Sequence, residues 1–276
     1  MPWLSLIFGA LVGFSLGLTG GGGAIFAVPL LVYGLGVAPR EAVGISLASV
    51  GITSFVGFLG RWRARQVEIR TGLVFAVAGM LGAPVGSWVS GLIPEAVLLT
   101  LFAILMLIVA LRMWSKAAAT ASAGSPVVCS TEAADVDGPA CRRDNNGNLL
   151  LTSRCALLLM GVGVATGILS GLFGVGGGFV IVPALVLFSG MAIHRAVGTS
   201  LLVISLVSIS GIASHLFVGR TISVETTALF VVGGVTGMLL GNLTGRHLSG
   251  PALQKVFAVA IVAVAFLVIV HTVFLS

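Results

Sequence analysis

Two glycine runs that interrupt apolar stretches constrain this chain more than any other feature. The first lies in residues 19–29 (TGGGGAIFAVP) and the second in residues 174–183 (GVGGGFVIVP). Each glycine costs a helix about 1 kcal/mol relative to alanine, so consecutive glycines predict a helix break. Within a bilayer, non-helical backbone survives only where it is buried in protein or lines a cavity. A pair of such breaks, placed alike in two halves, indicates a transporter's binding site.

The composition indicates an all-α polytopic membrane protein. Hydrophobic residues make up 58% of the chain and charged residues 8%, with a mean hydropathy of +1.19. A soluble domain carries about 25% charged residues. The net charge of +6 is not a nucleic-acid signal, because Lys and Arg cluster at segment ends, where they set orientation and meet anionic lipid headgroups. The N-terminus lacks the basic region of a signal peptide, so the first apolar segment is expected to be retained.

The three cysteines, Cys129, Cys141 and Cys155, do not form a metal-site pattern. No His lies nearby to complete a zinc site, so neither a metal nor a cofactor is expected. The favoured interpretation is reduced thiols on a cytosolic linker. A Cys129–Cys141 disulfide is an alternative only if the linker faces an oxidising compartment.

Apolar segments occur in two halves, five in each. They span residues 3–18, 24–35, 42–59, 71–92 and 96–114 in the first half, and 154–173, 179–191, 196–217, 226–248 and 253–274 in the second. The first two segments of the chain are short for a membrane span of about 20 residues. They are expected to form either two half-helices that meet at the glycines or a re-entrant hairpin.

The two halves also match in sequence, which indicates an internal duplication. Residues 40–47 match residues 194–201, and Gly82-x-x-x-Gly86 matches Gly237-x-x-x-Gly241 after one inserted residue. At the same offset as the first match, Gly20, Gly22, Gly23 and Pro29 correspond to Gly174, Gly176, Gly177 and Pro183. We therefore divide the chain into a first membrane repeat (1–114), a flexible polar linker (115–153) and a second membrane repeat (154–276).

Basic residues predict the orientation of the segments. The loop after the third segment carries Arg61, Arg63, Arg65 and Arg70, and Arg112 and Lys116 lie two crossings further on. We place this side, together with the linker, in the cytoplasm. Five crossings per half make the halves inverted repeats, which the charge distribution favours. If each glycine-broken pair is a single crossing, each half has four spans and the repeats run parallel.

Each glycine run places the start of a helix inside the membrane. The first N–H groups of such a helix lack intrahelical partners, and its dipole adds partial positive charge. Glycine lets this backbone approach a ligand, so the two starts are predicted anion sites that face each other near the midplane. The predicted binding residues are Gly20, Gly21, Gly22, Gly23, Gly174, Gly176, Gly177 and Gly178. The alternative is that these glycines only permit close helix crossing.

Hydroxyl groups in the third segment of each half could donate to an oxyanion without adding charge. They belong to Ser46, Ser49, Thr53, Ser54, Thr199, Ser200, Ser205, Ser208 and Ser210. Ser46, Thr199 and Ser200 lie just beyond the glycine breaks and join the predicted binding residues. The alternative for each hydroxyl is a bond back to a carbonyl of its own helix, or a contact between helices.

Polar residues at segment edges form a further group of candidates. Arg40, His194 and Arg195 could attract or gate an anion, or could instead extend to the headgroups. Asn242 is a further site candidate, because an amide in mid-segment needs a partner. No Asp or Glu lies inside a segment, so a buried carboxylate relay is not expected, and an edge His or the substrate itself would carry any coupling proton.

At these motifs the chain resembles the TauE/SafE family, also called the sulfite exporter or toluene-sulfonate uptake permease family. The resemblance rests on the glycine runs ending in Val28-Pro29 and Val182-Pro183, on residues 42–46 and 196–200, and on Gly219-Arg220. It covers both membrane halves but not the linker. It implies movement of sulfite, sulfonates or related sulfur oxyanions across the bacterial inner membrane. The first run has Gly21 where the second has Val175, so the halves are expected to bind unequally.

We therefore predict a multi-pass secondary transporter for a small sulfur-containing oxyanion, which works by alternating access. An enzyme is not expected, because no His, Cys or carboxylate cluster lies within the segments. No ATP-binding motif is visible, so a proton gradient, another ion gradient or the substrate's own gradient would drive transport. The expected partners are the anion, membrane lipid and a coupling proton, and no nucleic acid. An anion channel of the same architecture is the alternative.

Overall fold

A computed structural model describes residues 2–94, 97–108, 111, 153–189, 191, 193–217 and 223–244. Within these ranges the chain forms helices and no strands, which confirms the predicted all-α class. The helices are α1 (Pro2–Thr19), α2 (Gly22–Gly34), α3 (Pro39–Arg63), α4 (Ile69–Leu92), α5 (Val97–Ile108), α6 (Ser153–Phe173), α7 (Gly178–Ser189), α8 (Ile193–Phe217) and α9 (Val224–Thr244). The predicted linker up to residue 152, the last segment at 253–274 and Gly219-Arg220 lie outside the described residues.

Among the described helices, five are long and apolar enough to cross a membrane: α3, α4, α6, α8 and α9. Three shorter apolar helices, α1, α2 and α5, accompany them. The outward faces carry large apolar side chains, such as Trp3, Leu157 and Phe217, which a soluble protein would bury. These features are those of a multi-pass membrane protein whose outer surface faces lipid.

Helix α2 turns back along α1 at the first glycine run. A Cβ atom on Gly23 would meet the backbone of Ser15 and Leu16, and a Cβ atom on Gly34 would meet the ring of Phe8. Residues further along α2 therefore contact residues nearer the start of α1, so α1 and α2 run antiparallel. Helix α2 is irregular, with a 3₁₀ stretch at Gly22–Phe26 and a π-helical stretch at Leu30–Gly34.

The first helix of each half packs against the fourth helix of the other half. Helix α1 runs parallel to α9, with Gly13 directly against the backbone of Gly234, and α6 runs parallel to α4, with Gly167 directly against the backbone of Gly79. The two pairs correspond at the offsets that relate the two halves of the sequence. Glycines spaced by four remove the side chains that would hold these backbones apart. The halves are therefore interlocked rather than placed side by side.

The corresponding helices α3 and α8 cross at the centre of the fold and run antiparallel. Gly211 lies against the side chain of Leu47, Gly51 against Ser208, and Gly57 against Leu201. These two helices are the most buried of the long described helices. Helices α3 and α8, which contain the matching residues 40–47 and 194–201, therefore meet in the core.

The expectation of reduced cysteines is wrong for Cys155. This residue is buried at the start of α6 and is disulfide-bonded. Cys129 and Cys141 lie outside the described residues. A disulfide is typical of an oxidising compartment, whereas the basic residues of the chain favour the cytoplasm for this side. The absolute orientation of the segments therefore stays a prediction.

We expect Gly167→Ala to destabilise the protein more than Gly161→Ala, although both lie on α6. A Cβ atom at Gly167 would collide with the backbone of Gly79, whereas no atom lies within 4 Å of a Cβ atom at Gly161. Overpacking costs about 1–3 kcal/mol, while alanine at an open helical position gains up to about 1 kcal/mol. Thermal unfolding of the detergent-solubilised variants measures the difference, and equal melting temperatures would contradict the packing described here.

Candidate functional site

Both glycine runs end a helix in the same way. The N–H of Gly20 donates to the carbonyl of Leu16 at 2.7 Å, and the N–H of Gly174 donates to the carbonyl of Ser170 at 2.8 Å. The φ angles of these two glycines are +73° and +71°. Glycine adopts this left-handed conformation without steric cost, and the chain can then turn sharply away from the helix axis.

Each turn is fastened by a serine from the other half. The hydroxyl of Ser200 donates to the carbonyl of Gly20 at 2.7 Å, and the hydroxyl of Ser46 donates to the carbonyl of Gly174 at 2.6 Å. Both serines are fully buried. A carbonyl freed by a helix break needs a partner in an apolar interior, so these bonds satisfy the two turns reciprocally. We call these two contacts the crossed locks.

The two glycine runs meet where α3 and α8 cross. The backbone of Gly21 lies directly against that of Gly178, so neither position has room for a side chain. Val50 of α3 and Ile204 of α8 flank Gly176 at the same place. The start of α2 and the start of α7 are thereby brought together in the interior of the protein. We call this place the glycine junction.

Two helices begin at the glycine junction. In α2, the N–H of Gly22 donates to Thr19 Oγ1 at 3.0 Å, and Thr19 Oγ1 in turn donates to the carbonyl of Ser15 at 2.8 Å. In α7, the N–H groups of Val180 and Ile181 donate to the carbonyl of Gly177 at 3.0 and 3.2 Å. These three N–H groups therefore have partners within the protein, and an anion at the junction would use the remaining N–H groups of the two helix starts.

The predicted hydroxyl donors fall into two classes. Ser46 and Ser200 belong to the junction, but each has a single O–H, and the crossed locks use it. Thr199 points elsewhere: its Oγ1 accepts the N–H of Glu68 at 3.0 Å and fastens the loop between α3 and α4. Five other buried serines have no hydrogen-bond partner within the described part of the chain: Ser15, Ser54, Ser90, Ser170 and Ser208. The sequence analysis named Ser54 and Ser208 among the candidate hydroxyl donors without placing them at the site, and the two correspond at the offset of the duplication.

The charged and amide candidates lie at helix ends, away from the glycine junction. Arg40 Nη2 lies 3.5 Å from the carbonyl of Ile93. His194 and Arg195 are exposed, and Arg195 Nη1 lies 3.7 Å from a carboxylate oxygen of Glu68. The amide of Asn242 accepts from Arg61 Nη2 at 3.2 Å, which supplies the partner that the sequence analysis required for it.

The interior beside the junction is closed. A gap between α1, α3 and α9 is too narrow to hold a water molecule. Its lining residues are Val12, Leu16, Ser49, Val50, Thr53, Phe230 and Gly234. Within the described ranges, no group of three or more His, Cys, Asp or Glu side chains could hold a metal ion. Any ligand at the junction would therefore meet backbone N–H groups and hydroxyls, and would need the helices to separate.

We expect Ser200→Ala to lower stability more than Ser205→Ala on the same helix. The hydroxyl of Ser200 lies 2.7 Å from the carbonyl of Gly20, which the glycine turn frees, as well as 2.8 Å from that of Val197 in its own helix, whereas Ser205 bonds back to the carbonyl of Leu202 within its own helix at 2.8 Å. Leaving a buried carbonyl unsatisfied costs about 1–3 kcal/mol. Thermal unfolding measures the loss, and an equal effect of the two substitutions would contradict the lock.

Comparisons with known proteins agree with this architecture. The family model "Sulfite exporter TauE/SafE" matches residues 5–268. A "Probable membrane transporter protein" of Xylella fastidiosa strain Temecula1 is 38% identical over 267 residues, which cover 95% of this chain and 92% of that protein. The probable membrane transporter proteins YdhB of Bacillus subtilis and MJ0441 of Methanocaldococcus jannaschii are 28% and 29% identical, covering 70% and 73% of this chain and 70% and 67% of their own lengths. No solved structure matches significantly. The chain therefore belongs to the TauE/SafE family of membrane transporters.

Proposed function

We propose that the protein is a secondary transporter for a small sulfur-containing oxyanion, such as sulfite or a sulfonate. The anion binds at the glycine junction, between the start of α2 and the start of α7. The single observation that carries the proposal is the contact between Gly21 and Gly178, because it joins two helix N-termini in the interior. The family name adds the sulfur oxyanion class.

The chemistry of the junction fits an anion rather than a cation. Oriented backbone N–H groups and the positive ends of two helix dipoles favour negative charge. Around the junction, the described neighbours are glycines, aliphatic side chains and hydroxyls, and they include no carboxylate. An oxyanion can therefore be desolvated against neutral donors without a competing negative group.

The arrangement of the helices supports inverted repeats. Equivalent helices related by an axis along the membrane normal would run parallel, whereas α3 and α8 run antiparallel. The antiparallel α1–α2 hairpin also supports five segments per half over a single broken crossing. Inverted repeats with a site at their interface are typical of carriers that work by alternating access.

The closed interior favours a carrier over an anion channel. The gap between α1, α3 and α9 cannot hold a water molecule, as in a carrier that is closed to both sides. A carrier has to open to one side at a time, and its flux saturates and shows counterflow. A gradient of protons, of another ion or of the substrate supplies the energy. The carboxylates of Glu41, Glu68 and Glu225 all lie at helix ends, so the substrate or an edge His would carry a coupled proton.

The proposal predicts selective thermal stabilisation of the purified protein by sulfur oxyanions. Binding to the native state raises apparent stability by mass action. The panel comprises sulfite, thiosulfate, sulfate, sulfoacetate, taurine and phosphate. We expect a shift with one or two sulfur anions and none with phosphate. Stabilisation by no anion in the panel would overturn the proposed function.

A matched pair of glycine variants tests whether the anion binds at the glycine junction. Gly22→Ala adds a methyl group at the start of α2, where the nearest atom is Thr19 Oγ1 at 3.1 Å, a tight contact that requires Thr19 to shift by a few tenths of an ångström. Gly60→Ala adds a methyl group in open space near the end of α3. We expect Gly22→Ala to weaken anion binding by about tenfold or more, since its methyl group narrows the approach to the start of α2, and Gly60→Ala to leave binding unchanged. Wild-type affinity in Gly22→Ala would argue against a site at the junction.

A further inference from the structure

We propose that Ser54 and Ser208 supply the hydroxyl groups that contact the transported oxyanion. The inference rests on the proposed function and names residues that the sequence did not assign to the site. It separates the serines that hold the fold together from the serines that are available to a ligand.

The hydroxyls of Ser54 and Ser208 are fully buried and have no hydrogen-bond partner among the described residues. An unsatisfied buried polar group is unfavourable, and a helical serine normally avoids this by bonding back to its own helix. Neighbouring serines do so: Ser49 donates to the carbonyl of Ile45 at 2.7 Å, and Ser205 to that of Leu202 at 2.8 Å. Ser54 and Ser208 therefore keep an O–H that the resting structure does not use.

Among the unsatisfied serines, Ser54 and Ser208 are equivalent by the duplication, and this equivalence assigns Ser54 to the same site as Ser208. Ser54 corresponds to Ser208 at the offset that relates Ser46 to Ser200. Other polar positions of these helices differ between the halves: Thr53 corresponds to Val207, and Ser49 corresponds to Val203. A hydroxyl present at the same position in both copies, without a structural partner in either, points to a requirement that both copies share.

The hydroxyl of Ser208 faces the glycine junction. Its Oγ lies 3.7 Å from the position that a Cβ atom on Gly176 would occupy, and 3.4 Å from the corresponding position on Gly51. Gly176 belongs to the second glycine run, immediately before the start of α7. A buried, unsatisfied hydroxyl donor thus lies beside the start of α7. The oxyanion site therefore combines a helix N-terminus with a side-chain donor.

The crossed locks exclude the more obvious candidates. Ser46 and Ser200 each donate their single O–H to a glycine carbonyl, so neither can donate to an anion while the turns are intact. Ser208, which follows Ser200 on α8, donates no such hydrogen bond within the described part of the chain. The ligand would therefore satisfy the donors that the fold leaves unsatisfied.

The test compares Ser54→Ala and Ser208→Ala with Ser90→Ala. Ser90 is also fully buried and unsatisfied, but it lies near the end of α4, which is neither a helix that starts at the junction nor one of the two that cross there. Sulfite and thiosulfate are titrated against each purified variant, and the dissociation constant and the melting temperature without ligand are measured. We expect each junction variant to raise the dissociation constant about tenfold or more, because a hydrogen bond to a charged group is lost. The ligand-free melting temperatures of all three variants should stay unchanged or rise.

Three outcomes would overturn the inference, and they can be told apart. Suppose that Ser54→Ala and Ser208→Ala, the junction variants, bind the anion with unchanged affinity while Gly22→Ala binds it more weakly. This result would show that the two serines do not contact the anion, and the proposed function would stand. A marked fall of the ligand-free melting temperature in both junction variants, but not in Ser90→Ala, would show a structural role for these hydroxyls. The absence of binding by wild-type protein to any oxyanion of the panel would overturn the proposed function and this inference with it.

Discussion

The structure depends on one constraint: in a membrane interior, the backbone groups released at a helix break must find hydrogen-bond partners within the protein. At Gly20 and Gly174 the chain leaves the helical path, and the carbonyls released there cannot bond to water. Ser200 and Ser46 satisfy them, and each serine comes from the opposite half of the chain. The requirement for hydrogen-bond partners therefore joins the two halves in the core. It also fixes where α2 and α7 begin, because both helices start directly after the fastened turns.

Glycine serves a second purpose on the outer helices. In α1, α4, α6 and α9 it is helical, and it allows backbones to touch, as where Gly13 meets Gly234 and Gly167 meets Gly79. Lipid tails are as apolar as leucine, so close packing rather than burial from water holds such helices together. One residue type thus breaks helices where glycines are consecutive and joins helices where they are spaced by four.

The sequence predicts the all-helical class, the membrane location, the family and the duplication, because each depends on composition or on spacing along the chain. The contacts between the halves depend instead on which faces meet. Ser46, Thr199 and Ser200 lie at similar distances from the glycine runs in sequence, yet Thr199 turns to Glu68 while the two serines form the crossed locks. The hydroxyls that stay unsatisfied, at Ser54 and Ser208, could be singled out only once the partners of the others were known. Burial alone does not distinguish them, since every one of these hydroxyls is buried.

The crossed arrangement also bears on how such a fold can open. A movement of one sequence half against the other would have to break both locks and separate α1 from α9 and α4 from α6, where backbone touches backbone. By contrast, the glycines at the α3–α8 crossing meet side chains: Gly57 meets that of Leu201, and Gly211 meets that of Leu47. Side-chain contacts tolerate small sliding movements better than backbone contacts do. A shear at the α3–α8 crossing would therefore disturb fewer backbone contacts and would keep both glycine turns fastened, because Ser200 binds the end of α1 and Ser46 the end of α6.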